Sequence, residues 1–250
     1  MDAFLLDLDG TLYVGDRPLA GAVEAVRSLE RRGIPCRYLT NTTRVSRRAL
    51  ADRLRRMGFD IGAEEIFTAP LAAAAWLKGR GLRRVSLLLP VATREDFPDF
   101  EVTEESPEAV VVGDLGEAWS FDRLNAAFRH LRDGAVLLAL QKNRYWRDGE
   151  GLTLDAGPFV AALEYAAGVT AEVVGKPSSA FFHAAADALG VERSRVTVVG
   201  DDVESDAGGA VRAGLRAVLV WPGKYSDGAL AAAAVAPHAV VADVGEAVGG

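Results

Sequence analysis

Two hydrophobic patterns alternate along the chain. Short apolar runs predict buried strands, as in "AFLLD", "IPCRYLT", "SRVTVVGDD" and "RAVLVW". Between them, apolar residues recur at helical spacing, which predicts helices in "GAVEAVRSLERRG", from Ser46 to Met57, and in "VESDAGGAVRAG". Strands that alternate with helices in this way predict an α/β fold, in which helices cover both faces of a parallel sheet.

The composition and the order of predicted elements change in the middle of the chain, which indicates a second unit inserted into the first. An alanine-rich helix ("PLAAAAWLKG") and the strand "RVSLLLP" precede an acidic stretch, and the strand "AVVVGD", a helix from Ser120 to Arg132 and the strand "AVLLAL" follow it. We therefore expect a Rossmann-like core formed by residues 1–70 and 174–250, with a smaller α/β cap domain formed by residues 71–173.

The predicted strands end in residues with reactive or ligating side chains. In a doubly wound sheet, ligands bind where the carboxyl ends of neighbouring strands meet. Carboxylates, a hydroxyl, an amide and an ammonium group follow the predicted strands: Asp7 and Asp9 after the first, Thr40 and Asn41 after the second, Lys176 in "AEVVGKP", and Asp201 in "VTVVGDD". All of these groups are therefore predicted at one rim of the sheet.

This set of side chains is complementary to a phosphate group and Mg²⁺. Proteins usually bind Mg²⁺ through one or two carboxylates, with water and substrate phosphate oxygens as further ligands, and Asp7 and Asp201 supply two carboxylates. Lys176 and Thr40 can hold the other oxygens of a phosphoryl group while it is transferred. The sequence therefore predicts a phosphoryl-transfer site with Mg²⁺ as cofactor.

The spacing of Asp7 and Asp9 predicts two different roles. Side chains two residues apart lie on the same side of an extended chain, and Gly10 allows the chain to bend sharply after them. A carboxylate can attack phosphorus to form an aspartyl-phosphate, and we assign this step to Asp7. The leaving group then needs a proton and the hydrolytic water must lose one, and the carboxyl group of Asp9 can serve both steps.

Four of these segments, in this order, resemble the four motifs of the haloacid dehalogenase superfamily: "DLDGTL", Thr40, the "GKP" that contains Lys176, and "GDDVESD". The resemblance covers nearly the whole chain, and the predicted insertion resembles the C2-type cap of the NagD-like phosphatases. "LTNTT", residues 154–178 and "VVGDDVESDAGGAVRAG" are also similar to the branch that contains phospholysine, phosphohistidine and inorganic pyrophosphate phosphatases. The resemblance implies a Mg²⁺-dependent phosphatase and, since members with such caps commonly dimerise through them, a homodimer.

The resemblance also implies a role for each residue that matches a motif. Asp7 is then nucleophile and metal ligand, Asp9 is the general acid/base whose backbone carbonyl faces the metal, and Asp201 is a metal ligand. The other matches are Thr40 and Asn41 as phosphate ligands, Lys176 as the partner of Asp7 and of the phosphoryl group, and Asp206 in support of the water shell of the metal.

One polar and aromatic segment late in the predicted cap is a candidate for substrate recognition. "QKNRYWRDGEGL" contains Asn143, Arg144 and Trp146, in a position where capped relatives carry residues that contact the substrate. We consider these three residues candidates for contact with the leaving group, the alternative being a hairpin of the cap or a dimer contact.

The composition of the chain limits its expected binding partners and its expected cellular compartment. A formal net charge of −7 over 250 residues argues against binding to nucleic acid or to an anionic membrane surface. Cys36 is the only cysteine, which excludes an intrachain disulfide. We find no basic leader and no apolar run of the roughly 18–20 residues that span a bilayer, so we expect a cytoplasmic protein.

Three functions use a phosphorylated aspartate at a strand end. The hypothesis we favour is a phosphohydrolase of small phosphorylated metabolites, which include phosphoamino acids, pyrophosphate, sugar phosphates and pyridoxal phosphate. A phosphomutase or other phosphotransferase would use the same residues with a second substrate hydroxyl in place of water. A signalling receiver domain is a weaker alternative, because it needs neither a cap nor an acid two residues after the nucleophile.

Overall fold

The computed structural model describes residues 2–147, 151–221, 230 and 234–249. Within them the strands are β1 Ala3–Asp7, β2 Tyr13–Val14, β3 Arg17–Pro18, β4 Cys36–Thr40, β5 Ile66–Thr68, β6 Arg84–Leu88, β7 Glu101–Val102, β8 Ala109–Val112, β9 Val136–Ala139, β10 Tyr145–Arg147, β11 Leu152–Leu154, β12 Glu172–Val173, β13 Val196–Gly200, β14 Arg216–Val220 and β15 Ala239–Val241. The α-helices are α1 Ala22–Arg31, α2 Arg47–Arg56, α3 Ala69–Gly79, α4 Phe121–Arg132, α5 Ala156–Ala167, α6 Ser179–Asp187, α7 Gly209–Arg212 and α8 Val244–Gly249.

The chain divides into two compact units. The first contains residues 1–40, 47–67 and 176–250, and the second contains residues 41–46 and 68–175. The sequence places the boundaries at 70/71 and 173/174, and these lie within about three residues of the divisions at 67/68 and 175/176. Residues 41–46, which the sequence assigns to the core, pack with the second unit.

A six-stranded sheet forms the centre of the first unit, in the order β15–β14–β13–β1–β4–β5. β1 lies between β13 and β4 and is parallel to both, and β14 is parallel to β13 and β15. Helices cover this sheet, with α1 packed beside α8 and α6 beside α7. The predicted α/β fold with a parallel sheet is therefore confirmed.

Helix α1 shows how the sequence pattern determines local structure. Val26 and Leu29 lie on its buried face, whereas Glu24 and Arg31 form an ion pair of 2.6 Å on its exposed face. Gly33 follows the helix with a φ of 61°, a conformation that glycine adopts without strain. The helix therefore ends where the sequence predicts.

The second unit contains its own parallel sheet, in the order β12–β9–β8–β6–β7. Helices α4 and α5 pack against each other over a buried cluster that includes Val110, Leu137 and Leu163. The hydroxyl of Ser120 accepts the backbone N–H of Arg123 at 3.3 Å and caps α4, which confirms the predicted start of this helix. Strands β10 and β11 form a separate antiparallel hairpin.

Two predicted elements differ from the structure. The strand before Lys176 pairs with β9 in the second unit, so the prediction that Lys176 follows a strand of the core sheet is wrong. An apolar run predicts a strand but does not specify the sheet it joins. The predicted helix in "VESDAGGAVRAG" begins as a π-helical turn from Val203 to Gly208, and only four residues then form α7.

Candidate active site

Buried polar side chains surround the carboxyl end of β1. In the parallel register Asp7 pairs with Leu39 of β4, so Thr40 comes one position later. On its other side β1 pairs with β13, and Asp201 follows that strand. Asp7, Thr40 and Asp201 are all buried. The topology therefore places the groups predicted after β1, β4 and β13 at one edge of the first unit.

Lys176 and Thr11 both donate hydrogen bonds to the carboxylate of Asp7. Nζ of Lys176 donates to Oδ1 at 2.5 Å, and the hydroxyl of Thr11 donates to Oδ2 at 3.2 Å. Hydrogen bonds to both oxygens favour the ionised carboxylate and fix its orientation. The ionised form is the one that can act as a nucleophile.

Lys176 links Asp7 to a second carboxylate. Its Nζ donates to Oδ1 of Asp206 at 2.6 Å, and all three side chains are buried. Burial by itself lowers the pKa of the Lys176 ammonium group, but the carboxylates of Asp206 and Asp7 outweigh burial and raise that pKa well above its usual value. Lys176 is therefore a permanent positive charge in a buried site that is otherwise acidic.

The π-helical turn brings Asp206 to this site. The backbone N–H of Ala207 donates to the carbonyl of Asp202 at 3.2 Å, and the backbone N–H of Asp202 donates to Oδ2 of Asp206 at 3.1 Å. Burial and the charge of Asp7 raise the pKa of Asp206 to about 6, although Lys176 lowers it. π-Helical turns are frequent at functional sites because they redirect a side chain within a helix.

Three carboxylates at the site could hold a metal ion. Asp7, Asp201 and Asp206 each offer an oxygen atom, and these oxygens lie within 4.8 Å of one another. Three carboxylate oxygens form a donor set that suits a hard divalent cation such as Mg²⁺. A Cβ atom on Gly10 would overlap the carboxylate of Asp201, so glycine at this position leaves room for the donor set. The residues present therefore fit the predicted cofactor, with Asp206, which was predicted to support the water shell, among the carboxylates. The predicted backbone carbonyl ligand of Asp9 stays a prediction.

Asp9 lies two residues beyond Asp7 and is placed differently. Its side chain is exposed, whereas Asp7 and Leu8 are both buried, so burial does not follow the alternation of an extended chain here, and a shared side for Asp7 and Asp9 stays a prediction. Gly10 has a φ of 96° and donates its backbone N–H to the carbonyl of Tyr13 at 2.8 Å. The chain therefore turns immediately after Asp9, as predicted, and leaves its carboxylate accessible.

Asn41 follows Thr40 directly in sequence but belongs to the second unit, whereas Thr40 belongs to the first. It is the first residue of the 41–46 segment, which packs with the second unit. A Cβ atom on Gly175 would overlap both the side chain of Asn41 and the carbonyl oxygen of Leu140. The structure therefore brings Asn41 against the backbone of Gly175, and its predicted role as a phosphate ligand stays a prediction.

The candidates for substrate recognition lie in the second unit. Asn143 and Arg144 are exposed, and the backbone of Trp146 lies in β10, while its side chain lies outside the described part of the structure. The backbone N–H of Asn143 donates to Oε1 of Gln141 at 2.5 Å, and Gln141 in turn donates to the buried carboxylate of Asp155. Gln141 and Asp155 therefore fix the backbone that presents Asn143.

Sequence reasoning missed Thr11. This residue belongs to "DLDGTL", but the motif gives it no role of its own. The turn after Gly10 folds the chain back, so the Thr11 hydroxyl reaches the carboxylate four residues earlier. A buried hydroxyl in a turn after two acids was the signal that could have identified it.

Comparison with known proteins places the chain in a family. The family of haloacid dehalogenase-like hydrolases matches residues 4–102, and the HAD-hydrolase-like family matches residues 173–247. The human phospholysine phosphohistidine inorganic pyrophosphate phosphatase is 43% identical over 227 residues, which cover 88% of this chain and 83% of that protein. This chain belongs to the haloacid dehalogenase-like hydrolases. It is an enzyme of the phosphatase class within that family.

Solved structures of haloacid dehalogenase-like phosphatases share this fold over nearly the whole chain. A 4-nitrophenylphosphatase from Thermotoga maritima superposes with a TM-score of 0.93 at 28% identity, covering 100% of this chain and 97% of that one. A glycerol phosphate phosphatase from Mycobacterium tuberculosis, solved in complex with magnesium, gives 0.89 at 28% identity, covering 97% and 76%. NagD from Escherichia coli, at 24% identity, shares the fold with a TM-score of 0.91 and coverage of 98% of both chains.

Proposed function

We propose that this enzyme is a Mg²⁺-dependent phosphohydrolase of small phosphorylated molecules that acts through an aspartyl-phosphate on Asp7. The observation that carries the proposal is the buried Asp7 carboxylate, which Lys176 and Thr11 orient and which lies beside Asp201 and Asp206. The magnesium complex of the Mycobacterium tuberculosis phosphatase supports the choice of metal. Asp7, Asp201 and Asp206 would hold Mg²⁺, whose charge would offset that of the phosphate group.

The first step is attack of an Asp7 carboxylate oxygen on phosphorus. The bond between phosphorus and the leaving group breaks, and the leaving group takes a proton from the carboxyl group of Asp9. Lys176 remains positively charged and balances the negative charge that develops on the phosphoryl oxygens. Asp9 suits the proton transfer because its side chain is exposed, whereas the nucleophile two residues earlier is buried.

The second step is hydrolysis of the aspartyl-phosphate. Asp9, now ionised, takes a proton from a water molecule as the water oxygen attacks phosphorus, and the Asp7 carboxylate leaves. The products are free phosphate and the starting enzyme, with Asp9 protonated again. The Thr11 hydroxyl and Lys176 hold the departing carboxylate in the orientation needed for the next turnover.

The names of the relatives suggest the range of substrates to test. The human relative is named for phospholysine, phosphohistidine and inorganic pyrophosphate, and the structural neighbours for 4-nitrophenyl phosphate and glycerol phosphate. All of these are small phosphoryl compounds with nitrogen or oxygen leaving atoms. We therefore propose that this enzyme acts on a member of this chemical class.

The test is hydrolysis of 4-nitrophenyl phosphate with Mg²⁺ and with EDTA. It compares the native enzyme with Asp7→Asn and Asp9→Asn. We expect turnover that requires Mg²⁺ and is lost in Asp7→Asn and greatly reduced in Asp9→Asn. Equal activity of native enzyme and Asp7→Asn would refute the proposal.

A phosphotransferase remains the alternative function, since it would use the same residues. Adding a panel of sugars and alcohols during turnover, with phosphorus NMR of the products, separates the two functions. A hydrolase releases phosphate as the main product at every acceptor concentration. A phosphotransferase forms a new phosphate ester at the expense of free phosphate.

A further inference from the structure

The hairpin that follows Asp9 is too short to be stable by itself. Strands β2 and β3 contain two residues each and form only the pairs Tyr13 with Pro18 and Val14 with Arg17. Isolated hairpins are at best marginally stable in water, even when they are longer. Contacts from elsewhere in the first unit must therefore hold this hairpin in place.

The hairpin and Asp9 are part of one tight turn. The backbone N–H groups of Leu12 and Tyr13 donate to the carbonyl of Leu8 at 2.9 and 3.3 Å, and the N–H of Gly10 donates to the carbonyl of Tyr13 at 2.8 Å. Asp9 itself forms a β-bridge with Tyr13. Tyr13 is almost completely buried, so this bridge ties the backbone of Asp9 to a packed residue of the hairpin. A shift of the hairpin would therefore move Asp9.

A single side chain from α2 holds this hairpin at three points. Nε of Arg53 donates to Oδ1 of Asp16 at 2.7 Å, and Nη2 donates to the carbonyl of Gly15 at 2.7 Å. The guanidinium carbon lies 5.2 Å from the centroid of the Tyr13 ring, which is almost completely buried. The side chain of Arg53 is 34% exposed, so its guanidinium group contacts the hairpin at the surface of the unit.

The chemistry of this contact requires arginine. The planar guanidinium group presents several donors in a fixed arrangement and also stacks on an aromatic ring. A lysine ammonium is a point charge and cannot reproduce the three contacts together. An exposed ion pair alone contributes little to stability, but here an ion pair, a hydrogen bond to a carbonyl and a ring contact from one side chain converge on one short hairpin.

We propose that Arg53 is a positioning residue for Asp9, because it holds the tip and the base of the hairpin that continues the Asp9 turn. This inference rests on the proposed function of Asp9 as general acid/base. It predicts that loss of the Arg53 contacts affects proton donation to the leaving group more than it affects binding of the phosphate group.

The test compares two substrates that differ in their need for a general acid. 4-Nitrophenyl phosphate has a good leaving group and needs little proton donation, whereas glycerol phosphate has a poor one. We expect Arg53→Lys to lower kcat/KM on glycerol phosphate on the order of tenfold, with a much smaller loss on 4-nitrophenyl phosphate, because kcat/KM reports the first step, in which the leaving group takes its proton. Inhibition by free phosphate should stay nearly unchanged. Asp9→Asn should show the same substrate dependence, only stronger.

Arg55→Lys is the matched control, because Arg55 lies on the same helix and pairs with the exposed Asp52. It should leave both activities unchanged. Equal losses on the two substrates in Arg53→Lys would overturn the proposal, as would no loss at all.

Hydrogen–deuterium exchange tests the structural part independently of activity. The amides of residues 10–19 should exchange faster in Arg53→Lys than in Arg55→Lys, and unchanged exchange would overturn the proposal. If the native enzyme hydrolyses neither substrate, the proposed function fails, and the exchange result still decides whether Arg53 holds the hairpin. If Asp9→Asn shows no substrate dependence, the role of Asp9 is wrong, and the positioning role of Arg53 falls with it.

Discussion

Lys176 compensates the negative charge of the buried carboxylates of Asp7 and Asp206. It contacts Asp7 and Asp206 at 2.5 and 2.6 Å. Lys176→Met would leave these two buried carboxylates without their cation, and loss of one partner of a buried ion pair typically costs about 3–5 kcal/mol. We expect a loss of this size in the free energy of unfolding, measured by urea denaturation in EDTA, together with a fall in kcat on the order of 10²–10³.

Lys78→Met controls for the loss of a lysine elsewhere. Lys78 forms an exposed ion pair of 2.7 Å with Asp99. Its replacement should leave kcat unchanged and the urea midpoint nearly so, since exposed pairs contribute little. If the two variants lost the same stability, the buried cluster would not depend on Lys176.

Thr11 provides a second test at the residue scale. Thr11→Val keeps the shape of the side chain but removes the hydrogen bond of 3.2 Å to Asp7. Hydrogen bonds to charged groups contribute about 1.5–3 kcal/mol, so we expect kcat to fall roughly 10- to 100-fold with little change in KM. Thr11→Ser retains the hydroxyl and should keep most of the activity. Steady-state kinetics that showed equal losses for serine and valine would rule out the hydrogen bond as the cause.

The positions of the residues at the strand ends were predictable, because in each case a polar or charged side chain directly follows an apolar run. Asp7, Thr40 and Asp201 lie where this argument places them, at the carboxyl ends of β1, β4 and β13. Thr11 and Arg53 were not predictable in this way, because their partners depend on a turn and on the packing of α2. Such contacts are set by tertiary structure and leave no periodic pattern in the sequence.

At the scale of elements, the turn at Gly10 brings the backbone close to the carboxylate of Asp201 in the predicted metal site. Gly10→Ala would both strain the backbone, since φ is 96°, and push a Cβ atom into the carboxylate of Asp201. Gly15→Ala is a close control, because Gly15 also has a positive φ, of 59°, but has open space around it. Each substitution should cost about 1–2 kcal/mol in backbone strain. Only Gly10→Ala should also disturb the metal ligands.

Thermal unfolding with and without Mg²⁺ separates these two effects. With Mg²⁺ at a hundredfold excess over its dissociation constant, the native chain and Gly15→Ala should gain about 2.7 kcal/mol, or roughly 5–10 °C in Tm. Gly10→Ala should gain little. A full Mg²⁺-dependent rise in its Tm would contradict the assignment of Asp201 to the metal site.

Elements with a strong local signal were easier to predict than those fixed by packing. Helix α4 begins after Ser120 and ends at Arg132, as its cap and its apolar spacing predict. Strand β12 joins the sheet of the second unit and not the sheet that contains β1, and the reason this was missed is that a strand of two residues, Glu172–Val173, has no pattern that specifies a sheet. The sequence predicts an ordinary helix where the structure has a π-helical turn at Val203–Gly208, because the two kinds of helix have similar sequence patterns. The turn places Asp206 within hydrogen-bond distance of Lys176.

At the scale of the whole molecule, the candidate site residues fall in both units. The buried cluster around Asp7 lies entirely in the first unit, whereas Asn143 and Arg144 lie in the second. In the part of the chain that the structure describes, no helix is both long and apolar enough to cross a bilayer. The insertion was predicted from a change in sequence pattern in the middle of the chain. Residues 41–46 were assigned to the core because the strand before them and the helix after them both belong to the core.

The hairpin of the second unit carries the surface that we propose for self-association. Tyr145 pairs directly with Leu154, and Leu152 lies two residues from Leu154 on the same face. These three side chains are 55%, 60% and 62% exposed in that order, and adjacent exposed apolar side chains of this kind are typical of interaction sites. They support the predicted homodimer through the cap.

Replacing Leu152 and Leu154 together by Asp tests this surface. Because both side chains are exposed, the fold should tolerate the change, while charges at the centre of an apolar contact should disrupt it. We expect the native enzyme to have the mass of a dimer by light scattering after gel filtration, and the double variant to have the mass of a monomer with an unchanged Tm. Val91→Asp, at an apolar residue that is 77% exposed elsewhere in the second unit, should remain dimeric. A monomeric native enzyme, or a double variant that stays dimeric, would show that this face does not join two copies, and its apolar residues would then need another explanation.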